Sequence, residues 1–245
     1  MDKLIYTAMT GAKHDMLRQD VLSHNLANAT TPGYRGQTMA FRAVPLQNAG
    51  DTRVFTVEST PGANFAPGPI QSTGNPLDIA VNGPGWIAVE AAGGEAYTRN
   101  GGLAISAEGV VQTRDGRNVL SDGGPINVPP NHSISIERDG TVAATPNGAA
   151  VKSVVALGRI KLVNPPEANL VRGDDGLFRL KSGGTAEPDP AVGLASGAIE
   201  GSNINPVEAL VSMIALARQF DLHMKMLQNA ESNSRQASQL LNING

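Results

Sequence analysis

Few residues of this chain have the types and spacing that could carry chemistry, and a dinucleotide site is the first to consider. The segment 83–88, Gly-Pro-Gly-Trp-Ile-Ala, fits the pattern G-x-G-x-x-A. That pattern needs a strand, a tight turn and a helix whose N-terminus meets a pyrophosphate. Here Pro84 lies inside the turn, and Trp86-Ile87-Ala88-Val89 is typical of a second strand. The segment therefore predicts a β-hairpin and no cofactor.

The spacing of the histidines does not favour a metal site. The four are His14, His24, His132 and His223. None has the H-x-H or H-E-x-x-H spacing that places two ligands on one face, so a zinc site would need ligands from distant segments. We expect no metal site.

Acid–base chemistry is not favoured by the one adjacent carboxylate pair. Asp174 and Asp175 precede Gly176 in a predicted turn, where neighbouring side chains do not face one substrate. Asp174 also completes the tripeptide Arg172-Gly173-Asp174, which resembles an adhesion signal. The sequence thus offers no catalytic set, and we predict that the chain is not an enzyme.

Composition excludes further classes of protein. The 245 residues include 19 basic and 22 acidic side chains, a net charge of -3, so no positive field would draw the chain to nucleic acid or anionic lipid. No cysteine is present, which removes disulfides, thiolate metal sites and cysteine nucleophiles. No apolar run is long enough to span a membrane, and Met1-Asp2-Lys3-Leu4-Ile5 does not resemble a cleaved signal peptide.

The N-terminal segment indicates a helix. Residues 2–28 contain no proline, and apolar residues recur at steps of three and four. The predicted helix ends near Asn28, because Thr31-Pro32-Gly33 supplies a restricted residue, a proline and a turn.

The C-terminal segment indicates a longer helix. Asn205 is a candidate N-cap, Pro206 is suited to the first helical position, and no glycine or proline follows until after Leu241. Heptad-like spacing relates Val207, Leu210, Ile214, Ala217 and Met224, flanked by Met213, Phe220 and Leu227. Both terminal helices carry apolar residues on more than one side, which indicates several helical neighbours; a closed helical pair is the alternative.

Between the helices, short strand-like runs alternate with turn dipeptides such as Asp115-Gly116, Asp139-Gly140, Asn147-Gly148 and Asp175-Gly176. We therefore predict an α+β fold in which the terminal helices form an axial coiled-coil domain and the centre is an antiparallel, turn-rich all-β module. The predicted segments are an N-terminal helix at 1–30, an extended or β connector at 31–75, a β-rich outer domain at 76–190, a return connector at 191–205 and a C-terminal helix at 206–245.

Five sequence blocks, in order, carry a family resemblance. They are 2–12, 23–35 (Ser-His-Asn-Leu-Ala-Asn-Ala-Thr-Thr-Pro-Gly-Tyr-Arg), 73–86 (Thr-Gly-Asn-Pro-Leu-Asp-Ile-Ala-Val-Asn-Gly-Pro-Gly-Trp), 97–101 (Tyr-Thr-Arg-Asn-Gly) and 200–208, followed by Met213-Ile214 and Arg218-Gln219-Phe220. Together they resemble the bacterial flagellar axial proteins, which include rod, hook and hook-associated proteins. Leu4 to Met9, Gly85-Trp86 and 172–180 are most similar to the proximal-rod members, with the distal-rod paralogue as the alternative.

The resemblance implies a structural subunit of the basal-body rod that polymerises helically through its terminal helices and transmits torque across the periplasm. It implies export without a cleaved signal through the flagellar type III apparatus, and other rod subunits as partners, with no cofactor, nucleic acid, small-molecule substrate or membrane insertion. A secreted, β-rich, adhesin-like binding protein is the alternative from another class.

Two groups of residues follow from these interpretations. The predicted helix-packing and assembly residues are Leu4, Ile5, Met9, Met16, Leu22, Leu26, Val207, Leu210, Ile214, Ala217, Phe220, Met224 and Leu227. The turn residues of the family motifs are Asn25, Asn28, Thr31, Pro32, Gly33, Tyr34, Gly74, Asn75, Pro76, Asp78, Gly83, Gly85, Trp86, Arg99, Gly101, Gly201, Asn203, Asn205 and Pro206.

Overall fold

A computed structural model describes residues 2–45, 54–58, 62–147 and 154–242. The described chain divides into two compact units. The first comprises residues up to 29, 37–62 and 204 onward, and the second comprises residues 30–36 and 63–203. Gly148 of the predicted Asn147-Gly148 turn lies outside the described residues.

The first unit is built on two helices. Helix α1 spans Asp2–Ala27 and helix α2 spans Pro206–Asn242. Three short strands accompany them, namely β1 (Gln37–Thr38), β2 (Phe41–Pro45) and β3 (Val54–Glu58), and β4 (Gly62–Ala63) lies at the boundary of the unit. Strands β2 and β3 form an antiparallel pair with Phe41 opposite Glu58.

The second unit contains sixteen further strands among its described residues. They are β5 (Ile70–Ser72), β6 (Ile79–Asn82), β7 (Trp86–Ala91), β8 (Gly94–Thr98), β9 (Leu103–Ile105), β10 (Val111–Thr113), β11 (Leu120–Ser121), β12 (Gly124–Pro125), β13 (His132–Ile136), β14 (Thr141–Pro146), β15 (Val155–Arg159), β16 (Leu162–Val163), β17 (Leu170–Arg172), β18 (Phe178–Leu180), β19 (Gly193–Ser196) and β20 (Ala198–Glu200). A short 3-10 turn, Glu167–Asn169, precedes β17.

All strand pairs with a determined register in this unit are antiparallel. The largest sheet has the order β16-β7-β8-β18-β17, and a second has the order β13-β14-β15. Separate pairs join β19 to β6, β20 to β5, β9 to β10 and β11 to β12. The main core is aliphatic and includes Ile79, Ile87, Val119, Val142 and Ile160, each almost fully buried.

The structure corrects the predicted hairpin at 83–85. Strands β6 and β7 flank this turn, yet β6 pairs with β19 and β7 pairs with β8 and β16. The turn therefore passes the chain from one strand pair to another sheet. Since a strand follows Gly85, the helix N-terminus that a dinucleotide site requires is not formed there.

The predicted fold class, with its axial coiled-coil domain, is wrong. Among the described residues, twenty strands stand against two α-helices, and the body of the protein is built from sheet. Four residues of the predicted heptad on α2, Val207, Leu210, Ile214 and Met224, are between 39% and 67% exposed in the single chain. Their role in assembly stays a prediction. The face of α2 that is covered lies elsewhere on the helix.

That covered face has a simple physical basis. Among the described side chains of α2, the covered positions are Ala209, Ser212, Met213, Leu216, Phe220, His223, Leu227 and Ala230. Within this set, the two alanines are buried. Small residues such as these let neighbouring backbones approach closely. Helices α1 and α2 contact one another within the first unit.

Candidate assembly surface and its supporting junction

The first four apolar residues of α2 outside its covered face form an exposed ridge. Val207, Leu210, Val211 and Ile214 are 67%, 48%, 62% and 56% exposed. Their spacing of three, four and seven residues places them on one face of the helix. We call these four residues the α2 stripe. A cluster of exposed aliphatic side chains is typical of a surface that contacts another molecule.

A polar pair lies on the opposite, covered side of α2. The His223 Nε2 atom is 3.5 Å from an Asp15 carboxylate oxygen, and Asp15 of α1 is almost fully buried. Gly11 makes room for the imidazole, because a Cβ atom there would lie 2.6 Å from the His223 ring. The sequence pattern is compatible with His223 on a polar face or at an interface, and the structure puts it between α1 and α2.

The predicted assembly residues of α1 fall into two groups. Met9 and Met16 are exposed, whereas Ile5, Leu22 and Leu26 are half-buried. The side chain of Leu4 lies outside the described residues. On α2, Ala217 is exposed with Val207, Leu210, Ile214 and Met224, and Phe220 and Leu227 are half-buried. The structure therefore does not bring the predicted set together on one face.

An open groove lies beside the helices within the first unit. Its volume is about 490 Å³, and its lining residues are Arg18, Val21, Leu22, Asn25, Gln37, Thr38, Met39, Ser212, Ala215 and Leu216. We call it the α1/α2 groove. Asn25 fixes its far wall: the Asn25 side chain donates to the Gln37 carbonyl at 2.9 Å and accepts from the Gln37 N–H at 2.8 Å. The motif residue Asn25 thus holds the chain that leaves α1.

Three charged residues of the motif blocks meet in the interior of the second unit. A Glu200 carboxylate oxygen lies 2.6 Å from Arg35 and the other lies 3.0 Å from Arg99. The Arg35 and Glu200 side chains are 0% and 1% exposed. Arg99 also donates to the carbonyls of Val81 and Gly83. Burial lowers the pKa of Arg99, and Glu200 counteracts that shift.

Glu200 and Arg35 were missed as functional residues by sequence reasoning, although both lie within the family blocks. The sequence signal for such a buried charge was a charged residue inside a glycine-rich motif, because small residues permit close packing. Gly33 permits close packing of this kind, since its φ is +67° and a Cβ atom would lie 2.2 Å from the Arg99 carbonyl carbon. The Gly33 N–H donates to the Glu200 carbonyl at 2.8 Å. This junction joins residues 33–35, 99 and 200.

Asparagines of the motifs form hydrogen bonds with backbone groups at turns. Asn203 accepts from the Gly36 N–H at 2.8 Å and donates to the carbonyls of Asn64 and Ala66. Asn205 accepts from the Val207 and Glu208 N–H groups, which is the N-cap that the sequence predicts. Asn75 accepts from the Leu77 N–H at 3.2 Å.

Other motif residues support the β core. Trp86 packs against Phe178 with ring centroids 4.7 Å apart, and the Arg99 guanidinium lies 5.5 Å from the Trp86 ring. The Arg172 guanidinium covers the ring of Tyr34 at 4.5 Å. Asp78 pairs with Arg114 at 2.7 Å. The remaining motif residues outside the helices and strands are Asn28, Thr31, Pro32, Gly74, Pro76, Gly83, Gly85, Gly101 and Gly201, and Pro206 begins α2.

The Arg172-Gly173-Asp174 turn is not presented as an adhesion loop. The Arg172 guanidinium donates to the Arg35 carbonyl at 2.8 Å in addition to stacking on Tyr34. Asp175 is held by Arg179 at 2.6 Å, and this hydrogen bond keeps the pKa of Asp175 below its usual value. Asp175 is thus an ionised turn residue paired with a cation.

The described part of the chain contains no candidate metal cluster and no helix that could span a membrane. Within the described ranges, no group of three or more His, Asp or Glu side chains is placed to hold a metal ion. Neither α1 nor α2 has the length and apolar character to cross a membrane in its described part.

Three flagellar family profiles match separate parts of the chain. A flagella basal body rod protein profile matches residues 5–35, a flagellar hook protein FlgE/F/G D1 domain profile matches residues 80–144, and a flagellar basal body rod FlgEFG protein C-terminal profile matches residues 195–240. The matched ranges include most of α1, the Arg99 and Glu200 positions, and most of α2.

Full-length similarity extends to curated rod proteins. The chain is 43% identical to the flagellar basal-body rod protein FlgF of Salmonella typhimurium and 42% identical to FlgF of Escherichia coli, in each case over 99% of this chain and 100% of the relative. Its identity to the rod protein FlgG of Bacillus subtilis is 28%, over 94% of this chain and 96% of the relative.

Proposed function

The chain belongs to the family of flagellar basal-body rod proteins named FlgF, and from this membership we propose how it assembles and where. Members of this family are structural subunits of the flagellar basal body, not enzymes. The rod protein FlgG is a paralogue. We propose that this subunit forms part of the proximal rod, polymerises helically, and carries motor torque across the periplasm together with other rod subunits.

One observation carries this proposal, namely the exposed α2 stripe. A helical polymer needs contacts in which a patch on one copy meets a different patch on the next, so that the assembly does not close on itself. Burying an aliphatic side chain removes it from water and gives roughly 1.5–3 kcal/mol. The four exposed residues of the α2 stripe supply such a patch. In this proposal, residues 1–30 and 206–245 form the inner domain, and residues 76–190 form the outer domain.

Export is part of the same proposal. We propose that the chain passes through the flagellar type III apparatus without a cleaved signal peptide. A chain with no cysteine suits passage into an oxidising compartment, since stray disulfides cannot form there. An adhesin-like function has no support, because Arg172 of the Arg-Gly-Asp turn is engaged by Tyr34 and the Arg35 carbonyl.

Substitutions on the α2 stripe test the proposal. Leu210→Asp and Ile214→Asp place a carboxylate in a contact that excludes water, which is costly when the charge is unpaired. Both residues are exposed in the single chain, so its fold should persist. We expect the variants to retain wild-type circular dichroism and to lose rod assembly and swimming.

Val171→Asp is the matched control, because Val171 is also an exposed apolar residue but lies on β17. We expect it to leave swimming intact. Normal rods and motility in both helix variants would show that the α2 stripe takes no part in assembly.

A further inference from the structure

The final segment of the second unit contacts parts of the same unit that lie far back in the sequence. This segment spans residues 193–203 and contains strands β19 (Gly193–Ser196) and β20 (Ala198–Glu200). We call residues 193–203 the clasp. We propose that release of the clasp and unfolding of the second unit are a single event, so that the unit is held closed by its final segment.

Two strands of the unit depend on the clasp for their pairing. Strand β6 pairs with β19, where Ala80 lies opposite Ala195, and β5 pairs with β20, where Gln71 lies opposite Ile199. Among the described strands, β5 and β6 have no other partner strand. Strand β6 is nevertheless buried, with Ala80 at 0% exposure. Loss of β19 would therefore leave backbone N–H and C=O groups of β6 unpaired in the interior, which is costly.

The clasp also supplies the ion-pair partner of two buried cations. One Glu200 carboxylate oxygen lies 2.6 Å from Arg35, and the other lies 3.0 Å from Arg99. The Glu200 carboxylate also accepts from the Gly68 N–H at 2.9 Å. The Arg35 and Arg99 side chains are 0% and 6% exposed, and a buried cation that loses its partner is strongly destabilising. The two cations therefore favour opening of the whole unit over release of the clasp alone.

The end of the clasp is fastened by Asn203. Its side chain accepts from the Gly36 N–H at 2.8 Å and donates to the carbonyls of Asn64 and Ala66 at 2.8 and 2.9 Å. The contact with Gly36 spans 167 residues of sequence, and the one with Asn64 spans 139. Such contacts cannot form before both distant parts of the chain are in place.

The position of the clasp in the sequence has a consequence for folding. A chain is synthesised from its N-terminus, so the clasp is the last part of the second unit to be made. Until then, β5 and β6 lack their partner strands, and Arg35 and Arg99 lack Glu200, so the unit stays open. An open chain suits passage through the export apparatus. This last consequence rests on the proposed function, whereas the clasp itself does not.

Hydrogen exchange of the full chain at increasing urea concentrations tests whether the clasp opens alone. The reporters are the N–H groups of Gly197 and Gly201 in the clasp and of Ala88 and Val119 in the core, each bonded to a backbone carbonyl. Protection is the exchange rate of the unfolded chain divided by the measured rate. We expect equal protection and the same urea dependence at all four groups, because one opening exposes them all. If the clasp reporters were more than about tenfold less protected than the core reporters, the clasp would open by itself and the proposal would be wrong.

Two substitutions weaken the clasp at different points. Glu200→Gln should lower the protection of all four reporters by the same factor, about a hundredfold or more. Asn203→Ala is the milder variant, because it removes three hydrogen bonds without leaving a buried charge unpaired. It should leave the chain folded and lower protection about tenfold at all four groups. A loss confined to Gly197 and Gly201 would overturn the proposal, since the core would then survive without the clasp.

Glu187→Gln is the matched control for Glu200→Gln, because Glu187 is an exposed acid of the same unit outside the clasp. It should leave protection unchanged to within about twofold. If it lowered protection as much as Glu200→Gln, the effect would not belong to the clasp and the proposal would be wrong. The proposed function fails on a different result, namely absence of the chain from basal bodies.

Discussion

The Arg35 guanidinium lies 2.6 Å from the Glu200 carboxylate, and neither side chain is more than 1% exposed. Arg35 belongs to the segment that follows α1 in the sequence, and Glu200 to the segment that precedes α2. Their pairing therefore links the segment 30–36 to the end of the segment 63–203 within the second unit. Arg99 and the Gly33 N–H bind the same glutamate residue, so this link involves three separate parts of the chain.

Removing the charge of Glu200 should destabilise the protein strongly. Glu200→Gln leaves the Arg35 and Arg99 cations buried without a counter-charge, and breaking a buried ion pair in this way costs about 3–5 kcal/mol. We expect a loss of that order in the free energy of unfolding of the full chain in urea. Trp86 is a suitable probe, because it is the single tryptophan and Arg99 lies over its ring.

Glu187→Gln provides the control for that experiment, because Glu187 is an exposed acid of the same unit. Its effect should stay within about 0.5 kcal/mol. Equal stabilities of the two variants would mean that the buried pair does not hold the unit together.

A pair of glycine substitutions separates backbone strain from steric overlap. Gly33 and Gly74 have similar φ angles of +67° and +71°, but a Cβ atom at Gly74 meets nothing within 4 Å, whereas one at Gly33 lies 2.2 Å from the Arg99 carbonyl carbon. Gly74→Ala should cost about 1–2 kcal/mol, the usual penalty of a left-handed conformation. Gly33→Ala should cost clearly more, because the backbone of residues 99 and 100 must also shift. Urea unfolding of both variants measures the difference, and similar losses would argue against the overlap.

Local features of this fold could be predicted from the sequence. The cap at Asn205 depends on residues within three positions of it, and the turn near Asn28 depends on the nearby Pro32 and Gly33. Such features follow from backbone preferences that each residue carries with it. The short strands can also be predicted from nearby residues, because turn dipeptides close in the sequence mark their ends.

Contacts between distant residues could not be predicted in this way. Arg99 and Glu200 are 101 residues apart in the sequence, and no periodic pattern links them. The covered face of α2 could not be predicted for a related reason. Ala209 and Ala230 are buried because small side chains permit close approach, whereas Val207 and Leu210 are more apolar and yet exposed. Hydrophobicity shows which residues will be buried somewhere, and it does not show by which neighbour.

The cap of α2 gives a third prediction. Asn205→Ala removes the side-chain acceptor for the Val207 and Glu208 N–H groups, and loss of such a cap typically costs about 1 kcal/mol. Asn205→Asp should retain most of the stability, because a carboxylate also caps well and favours the positive end of the helix dipole. Thermal unfolding followed by circular dichroism compares the variants.

Asn229→Ala is the control for the cap, since Asn229 is exposed in the interior of α2, far from either end. There, alanine has the higher helix propensity, so the variant should be as stable as the natural chain or slightly more stable. If Asn205→Ala behaved in the same way, the hydrogen bonds at Asn205 would contribute nothing to α2.

The raised pKa of Tyr97 should make the protein less stable at alkaline pH. Burial raises its pKa to about 12, with the Glu95 carboxylate adding to the shift and the hydrogen bond from the Ala186 N–H opposing it. The unfolded chain has an ordinary tyrosine pKa near 10. Between pH 10 and 12 the unfolded chain therefore releases a proton that the folded chain keeps. The stabilisation is fully present below pH 10 and is lost as the pH rises towards 12.

Tyr97→Phe should remove this part of the pH dependence. The variant also loses the acceptor for the Ala186 N–H, so its stability at neutral pH should fall by about 1–3 kcal/mol; the slope between pH 10 and 12 is the decisive measurement. Some alkaline loss should remain, because burial also raises the pKa of Tyr34. Tyr6→Phe, at an exposed position of α1, should keep the natural slope. An unchanged slope in Tyr97→Phe would show that the Tyr97 hydroxyl titrates alike in the folded and unfolded chains.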